Sequence, residues 1–284
     1  MFSYRHAFHA GNHADVLKHA TLLHIFNYYA QKDSAFSIID THCGAGIYDL
    51  EHDWAQTKGE FYDGLDRVLQ QDHYPELIEH YIDAIADLNP DGTARYYPGS
   101  PWLALERLRT QDSFHGFELH PSEFEVLSEN VAQLFPQGNR RVRLYPENGF
   151  EQLGRLLPPP SRRAVVVMDP SYEAKSDYQQ VLNSVKNALK RFAQACIVVW
   201  YPIVQRPEVQ ALQRKLEQLD TPWLHVSLSV RAPAKNGLGL HGSGLFISNP
   251  PWTLLKALEQ SMPWLTKTLA QDDKASFQLH HSGL

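Results

Sequence analysis

A short acidic turn follows a strongly apolar run in the second half of the chain. Residues 165–168 are Val-Val-Val-Met, which predicts a strand buried on both faces, as in a parallel sheet covered by helices. The next residues, Asp169-Pro170-Ser171-Tyr172, end that strand, because proline donates no backbone N–H to a ladder. Ligands of open α/β sheets bind at such carboxyl ends. The Asp169 carboxylate and the Pro170 carbonyl can accept hydrogen bonds from an exocyclic amine, and the Tyr172 ring can stack on a base. The turn therefore predicts an enzyme that modifies the amino group of an adenine.

A second segment competes for this role. Asn249-Pro250-Pro251-Trp252 also follows an apolar strand, and it fits the amine-methylating pattern more closely than Asp169-Pro170-Ser171-Tyr172 does. The acceptor site is expected after the fourth strand, beside the switch point of the sheet, whereas Asn249 follows the seventh. We therefore predict that Asp169 holds the amine.

A glycine-containing turn follows the first predicted strand, 36–40. That strand ends at Asp40, and the sequence Thr-His-Cys-Gly-Ala-Gly follows at 41–46. An acid and then a glycine turn let the backbone approach a nucleoside-like cofactor closely. The string is not GxGxxG and no P-loop lysine follows, so a phosphate-binding loop fits poorly. The DxHxGxG pattern indicates S-adenosylmethionine, and its alternative is an ordinary glycine turn.

Polar side chains end the next two predicted strands as well. Glu118 ends the strand 114–118, where nucleotide-binding folds hold ribose hydroxyls. Asn148 follows the strand 141–145 and offers an amide to an adenine edge. Together with the glycine turn these residues predict an adenosine site, although acids and amides at strand ends can also cap the following helix.

The first nineteen residues are rich in histidine and aromatic side chains. Histidines at 6, 9, 13 and 19 raise the possibility of a metal site, but no carboxylate or cysteine completes a zinc pattern. We predict no metal. Residues 1–19 are expected to cover the active site and to run into a helix over 14–32.

The remaining chain alternates strands and helices. Further strands are predicted at 197–200, 224–230 and 245–248, the first of these after a helix at 177–192, with other helices at 121–134 and 208–219. Residues 48–98 interrupt this alternation of strands and helices, and their sequence predicts a helical insertion. Ser100 is expected to cap the helix that follows this segment, and Ser122 and Glu125 are expected to form a capping box. The strand 224–230 is expected to be half-exposed, and residues 233–244 are expected to form a glycine-rich loop. Seven strands interleaved with helices predict a single doubly wound α/β domain, 1–284.

The amino-acid composition of the chain limits the classes of function that it can have. The chain has 284 residues, 43% of them hydrophobic, with a formal charge of −6, which argues against an indiscriminate nucleic-acid binder. No apolar run could span a bilayer and the first residues lack a signal-peptide core, so a cytoplasmic protein is expected. Cys43 and Cys196 match no CxxC pattern and are expected to be reduced.

Several of these motifs together resemble one family. They are SYRHAFHAGNHADVLKH at the start, DTHCGAG, YYPGSP, FELHPS, SRR before the fourth strand, DPSY, the WYP turn at 200–202 and NPPW. This set is similar to the RlmJ family, bacterial methyltransferases that act on an adenine N6 of 23S ribosomal RNA, some of which are described as proteins of external-DNA catabolism. The likeness extends from residue 3 to about residue 264. It implies a class I methyltransferase fold with S-adenosylmethionine as cofactor and a small helical insertion at 48–98.

The resemblance also implies roles for individual residues. The cofactor would be held by Lys18, His19, His42, Ser100, Glu118, Asn148, Gly149 and Asp169. Tyr4 and His6 would meet the target nucleotide, and Asp169, Pro170 and Tyr172 would be catalytic. The chain departs from the family pattern at Asn148, where the family usually has aspartate, and at Ser171, where it has proline. A proline restrains its predecessor, so serine is expected to loosen the turn.

Two other functions stay open at this point. A DNA adenine methyltransferase would use the same four-residue turn, although no separate target-recognition domain is evident. A nucleic-acid-binding or DNA-utilisation protein could keep the fold without the activity, since fold does not fix function.

Overall fold

A computed structural model describes residues 5–135, 140–235, 237 and 239–284. The strands are β1 (Ser37–Asp40), β2 (Ile47–Asp49), β3 (Tyr96–Pro98), β4 (Ser113–Phe117), β5 (Val142–Tyr145), β6 (Ala164–Met168), β7 (Cys196–Ile203), β8 (Trp223–Ser229), β9 (Gly242–Ser248) and β10 (Ser276–Ser282). The α-helices are α1 (His13–Ala30), α2 (Asp53–Lys58), α3 (Leu65–Leu69), α4 (Glu76–Leu88), α5 (Ser100–Glu106), α6 (Pro121–Leu134), α7 (Gly149–Gln152), α8 (Lys175–Arg191), α9 (Pro207–Glu217) and α10 (Leu254–Leu269). Short 3-10 helices lie at His6–Phe8, Glu60–Asp63 and Leu153–Leu156. None of the helices within these described ranges is long and apolar enough to cross a membrane.

The central sheet has the order β10-β8-β9-β7-β6-β1-β4-β5. The strands β5, β4, β1, β6 and β7 are parallel to one another, while β9 runs antiparallel to both β7 and β8. The predicted doubly wound, mostly parallel sheet is therefore confirmed. The predicted strand count of seven was too low by one in the main sheet, because β10 pairs antiparallel with β8 at the edge. β10 escaped prediction because it is largely exposed and contains only two apolar residues, Phe277 and Leu279.

The two faces of the sheet are covered by separate hydrophobic layers. In β6, Val165 and Val167 pack into one layer, whereas Ala164, Val166 and Met168 pack into the other. The first layer includes α1, α4, α5 and α10, and the second includes α8 and α9. This alternation confirms that β6 is buried on both faces, and the helices on either side explain why it carries no polar residue.

The strand β8 differs from its prediction as a half-exposed strand. Its polar residues His225 and Ser227 are buried together with the apolar ones. Each ring nitrogen of His225 has a partner: Nε2 lies 2.6 Å from the Tyr201 hydroxyl, and Nδ1 contacts Glu217 of α9. The alternation of polar and apolar residues in β8 therefore reflects a polar network beneath α9 rather than solvent exposure.

Residues 48–98 contain the helices α2, α3 and α4, which are bracketed by an antiparallel ribbon of β2 and β3. Leu65, Val68, Ile78 and Tyr81 from this segment join the same buried layer as α1. The segment is therefore continuous with the core that supports α1.

Three local predictions were wrong. Helix α6 begins after His120 without a side-chain cap, and Ser122 Oγ instead contacts the ring of His120 at 3.0 Å. Ser100 lies inside α5 rather than capping it, and the cap position is Gly99. The predicted loop 233–244 ends earlier, because Gly242 already starts β9.

An ion pair holds the end of α1 next to the start of β1. Asp112 is fully buried and accepts hydrogen bonds from Arg109 and from the backbone N–H of Phe36, which precedes β1. The Arg109 guanidinium also donates to the carbonyl oxygens of Ala30, the last residue of α1, and of Lys32. One carboxylate thus links the end of α1 to the start of β1.

Replacing Asp112 with alanine should lower the free energy of unfolding by about 3 kcal/mol or more, because it leaves Arg109 and a buried backbone N–H without their acceptor. Urea unfolding of Asp112→Ala would measure the loss. Asp91→Ala is the matched control, since Asp91 also accepts bonds in a turn but is exposed. Equal losses in the two variants would contradict this account.

Candidate active site

A cavity of about 620 Å³ opens at the carboxyl edge of β1, β4, β5 and β6. It collects most of the residues that the sequence singled out. The predicted residues that line it are His6, Lys18, His19, His42, Ser100, Glu118, Asn148, Gly149, Asp169 and Pro170. Tyr4 lies outside the described residues.

Lys18 lies between two carboxylates inside this cavity. Its Nζ is 2.8 Å from Asp15 Oδ1 and 2.6 Å from Asp169 Oδ2. Burial alone would lower the pKa of Lys18, but the two carboxylates outweigh it and raise the pKa above its ordinary value. Lys18 is therefore a fixed cation that joins α1 to the turn after β6.

Asp15 is a site residue that the sequence prediction missed. Its Oδ2 accepts hydrogen bonds from His6 Nε2 and from the Gly11 N–H, each at 2.9 Å. Burial opposes ionisation, but His6 and Lys18 hold the pKa of Asp15 well below its ordinary value. The spacing of Asp15 and Lys18, one turn apart on a helix, could have indicated this pair.

The start of α1 places these charges. Asn12 caps the helix, because its side-chain oxygen accepts from the N–H groups of Ala14 and Asp15 at 2.9 and 3.0 Å. His19, one residue after Lys18, is buried and contacts the Tyr97 hydroxyl at 2.9 Å. Burial holds the pKa of His19 well below its ordinary value, so this ring is neutral.

Asp40 ends β1 at the floor of the cavity. Its carboxylate accepts a 2.7 Å bond from Ser100 Oγ and one from the His42 N–H at 3.1 Å. This contact explains why Ser100 does not cap α5. Burial raises the pKa of Asp40 to about 6, although both hydrogen bonds act in the opposite direction.

The glycine turn after β1 is fastened by Glu118. Gly44 and Gly46 have φ of +59° and +79°, a region that favours glycine. The Glu118 carboxylate accepts from the N–H of Gly44 at 2.8 Å and from that of His120 at 2.7 Å. Burial raises the pKa of Glu118 despite these bonds. The turn and the strand end therefore form one rigid wall.

Asn148 and Gly149 close the cavity at β5. Asn148 accepts a hydrogen bond from the Phe150 N–H at 3.0 Å and thereby caps α7. The helix-capping role that the sequence offered as an alternative to adenine binding is therefore observed for this residue. A Cβ on Gly149 would lie 2.3 Å from the Thr41 carbonyl oxygen, so only glycine lets the two strand ends approach. His42 packs edge-on against Phe150, and burial lowers its pKa to about 3.

The histidines of the first segment take separate partners. His6 contacts Asp15, His9 contacts Glu60 and His19 contacts Tyr97. Across the described part of the chain, no group of three or more His, Cys, Asp or Glu side chains is arranged to hold a metal ion. Cys43 and Cys196 are both buried and free.

Comparison with known proteins places the chain in a family. The family model described as "Ribosomal RNA large subunit methyltransferase D, RlmJ" matches residues 33–280. The chain is 41% identical to the ribosomal RNA large subunit methyltransferase J of Escherichia coli over 95% of this chain and 94% of that protein. It is 39% identical to the Haemophilus influenzae protein of the same name, over 98% and 97% of the two chains. The chain belongs to the RlmJ family. A crystal structure of protein LPL1258 from Legionella pneumophila has the same fold, with a TM-score of 0.88 at 33% identity over 97% of this chain and 99% of that one.

The RlmJ-family membership confirms the resemblance and agrees with a class I methyltransferase sheet. The reversed strand β9 determines where the competing segment Asn249-Pro250-Pro251-Trp252 lies. Because β9 is antiparallel to β7, its end pairs with the beginning of β7, so Asn249 lies at the edge opposite Asp169. Asn249 Nδ2 donates to the carbonyl oxygens of Ala193 and Ala195, and Trp252 is 79% exposed. The structure thus favours Asp169 over Asn249 because of the direction of β9, which the sequence did not reveal.

Tyr172 does not line the cavity, contrary to the expectation that its ring stacks on the base. The residue is 3% exposed, with φ of +53°, and its ring packs against Tyr178 and Trp200. Its hydroxyl donates to the Trp200 carbonyl oxygen at 2.6 Å. A buried hydroxyl needs such an acceptor, and satisfying it turns the ring into the core. Pro170 and Ser171 line the cavity instead.

The raised pKa of Asp40 predicts a pH-dependent stability. The folded state binds the Asp40 proton more tightly than the unfolded state, so this group's favourable contribution at low pH is lost as pH rises through about 6. Asp40→Asn should therefore stabilise the protein, by a margin that grows from pH 5 to about 3 kcal/mol at pH 8. Urea unfolding at several pH values measures this margin. Asp87→Asn, on the exposed face of α4, is the control, and a margin that is independent of pH would contradict the assignment.

Proposed function

We propose that this RlmJ-family chain transfers a methyl group from S-adenosylmethionine to the N6 amine of an adenine in 23S ribosomal RNA. The observation that carries the proposal is the position of Asp169. It directly follows β6 and lines the cavity that also collects the glycine turn, Glu118 and Asn148. An amine acceptor and an adenosine site thus share one space. A protein with this substrate is expected to act in the cytoplasm.

The residues that line the cavity fit the cofactor in charge and hydrogen-bonding capacity. S-adenosylmethionine carries a sulfonium and an ammonium group, and Asp40, Glu118, Glu123 and Asp169 are acids on or beneath the cavity wall. Glu118 would hold the ribose hydroxyls, as acids at this strand position do in nucleotide-binding folds. Asn148 would face the adenine edge through its amide. When bound, the cofactor supplies an electrophilic methyl group.

Further contacts to the cofactor are proposed for the remaining predicted residues. Lys18, His19, His42 and Ser100 line the same cavity, and Gly149 leaves space where any side chain would meet backbone. His42 and His19 are neutral, so they add hydrogen-bonding capacity without repelling a cationic ligand.

Asp169 and Pro170 would hold the target base. An adenine that leaves its stack presents the two N–H bonds of N6. Because Lys18 occupies Asp169 Oδ2, we expect Oδ1 to accept one N–H and the Pro170 carbonyl oxygen to accept the other. Two fixed acceptors align the nitrogen lone pair, and alignment of this kind supplies much of a rate enhancement.

Lys18 determines which oxygen of Asp169 is left for the base. Its Nζ lies 2.6 Å from Oδ2, so this oxygen already accepts a charge-assisted hydrogen bond. Asp169 would act through Oδ1 as a hydrogen-bond acceptor during transfer, and it need not remove a proton beforehand, because the nitrogen becomes positively charged when it is methylated and can then release its proton to water. Lys18 is thus a positioning residue for Asp169 as well as a cavity wall.

Tyr172 and His6 would act around this centre. We propose that Tyr172 supports the turn through its bond to Trp200 rather than by stacking on the base. His6 lies on the cavity wall and is held by Asp15, so it would contact the target nucleotide together with Tyr4.

Asp169→Ala should reduce methyl transfer by on the order of a thousandfold or more, because it removes an acceptor that aligns the amine. Binding of S-adenosylmethionine should stay measurable by calorimetry. The control is Asn249→Ala, which changes the competing segment at the opposite edge and should retain turnover per folded molecule. Wild-type turnover in Asp169→Ala, or loss of turnover only in folded Asn249→Ala, would refute the assignment.

The proposed substrate is tested by transfer of labelled methyl groups to protein-free ribosomal RNA, with DNA as the comparison. We expect N6-methyladenosine in the RNA alone after nucleoside analysis. Transfer to DNA alone would identify a DNA methyltransferase. A protein that binds nucleic acid but not S-adenosylmethionine would instead be a binding protein on this fold.

A further inference from the structure

A second cavity, of about 570 Å³, lies at the ends of β7 and β8, and β10 forms its outer wall. The carboxyl ends of β6 and β7 are at the same edge of the sheet, because the two strands are parallel. The second cavity therefore opens on the edge that carries Asp169. Its polar lining includes Arg206, Gln210, Gln213, Ser227 and His241.

The two cavities differ in charge. Glu118, Glu123, Asp169, Glu173 and Asp177 line the first cavity. Among the described residues that line the second cavity there is no carboxylate, and Arg206 supplies a positive charge. The remaining polar groups are amides, hydroxyls and an imidazole, which donate hydrogen bonds. The first cavity suits a cationic ligand, whereas the second suits an anion.

A direct hydrogen bond joins the second cavity to the catalytic turn. Arg206 Nη1 donates to the carbonyl oxygen of Tyr172 at 3.1 Å. Arg206 is exposed and immediately precedes α9, and the same residue lines the cavity and contacts the turn. A group bound at Arg206 would therefore lie beside the segment that holds the target base.

His241 supplies a further unused donor or acceptor in the second cavity. The residue is 8% exposed, and its Nδ1 has no hydrogen-bond partner. Burial and the neighbouring Arg231 lower the pKa of His241, so the ring is neutral and can present an N–H at Nδ1. A buried ring nitrogen without a partner is uncommon, and a ligand in the cavity would satisfy it.

We propose that the second cavity binds a backbone phosphate of the RNA substrate, next to the nucleotide whose base enters the first cavity. Arg206 would pair with the phosphate, and the amide groups of Gln210 and Gln213 would surround it. The inference rests on the proposed function, since it assigns the neighbouring contact of the same substrate.

The test compares Gln210→Glu with Gln218→Glu. Both substitutions add one negative charge to α9 or its end, but only Gln210 lines the cavity. Neither side chain contacts Tyr172 or the first cavity in the described structure. Filter binding of labelled, protein-free 23S ribosomal RNA should show affinity reduced about tenfold in Gln210→Glu and by less than twofold in Gln218→Glu. Affinity for S-adenosylmethionine should be unchanged in both.

A second variant, Arg206→Gln, tests the phosphate itself. The plot of log affinity against log salt concentration should become shallower by about 0.7 to 0.9, the value for one released counterion. Equal RNA affinity in Gln210→Glu and Gln218→Glu, or an unchanged salt slope in Arg206→Gln, would overturn the inference.

Methyl transfer is measured on the same RNA to separate the two proposals. Cavity-dependent binding without transfer by the wild type would leave the second cavity as an RNA site and refute the proposed activity. Transfer with cavity-independent binding would uphold the activity and refute the phosphate site. Absence of RNA binding by the wild type would refute both.

Discussion

The Lys18 ammonium between Asp15 and Asp169 is the interaction on which the site depends. Asp15 and Lys18 are both buried, so removing either one would leave the other as an uncompensated buried charge. Asp15 and Lys18 belong to α1, whereas Asp169 belongs to the turn after β6. The helix and the turn are therefore fixed relative to each other. Since Asp15 also holds His6 and Gly11, the same cluster anchors the segment that precedes α1.

Much of the fold and of the cavity follows from the sequence, because strand ends and periodicity are local properties. The runs of apolar residues located β1 and β6, and the polar residues after them located the cavity wall. Strand direction and tertiary partners are not local. The reversal of β9, the pairing of β10 and the burial of His225 each depend on neighbours that are distant in the chain.

The side chains that the sequence analysis missed or placed differently have the same explanation. Asp15 resembles any acid in the first turn of a helix until Lys18 and His6 are placed around it. Ser100 occupies a position typical of a cap, but a nearby buried carboxylate, Asp40, takes its hydroxyl. Tyr172 is aromatic and could stack on a base, but its hydroxyl donates a hydrogen bond to the Trp200 carbonyl oxygen in β7, and the ring is buried as a result. In each case a polar group follows its strongest buried partner.

The close approach of Gly149 to Thr41 has an evolutionary consequence. A mutation at position 149 to any larger residue would push the ends of β1 and β5 apart, so this position cannot be used to adapt the cavity. Any adaptation of the cavity to a different ligand must therefore come from other lining residues, while the spacing between these two strand ends stays constant.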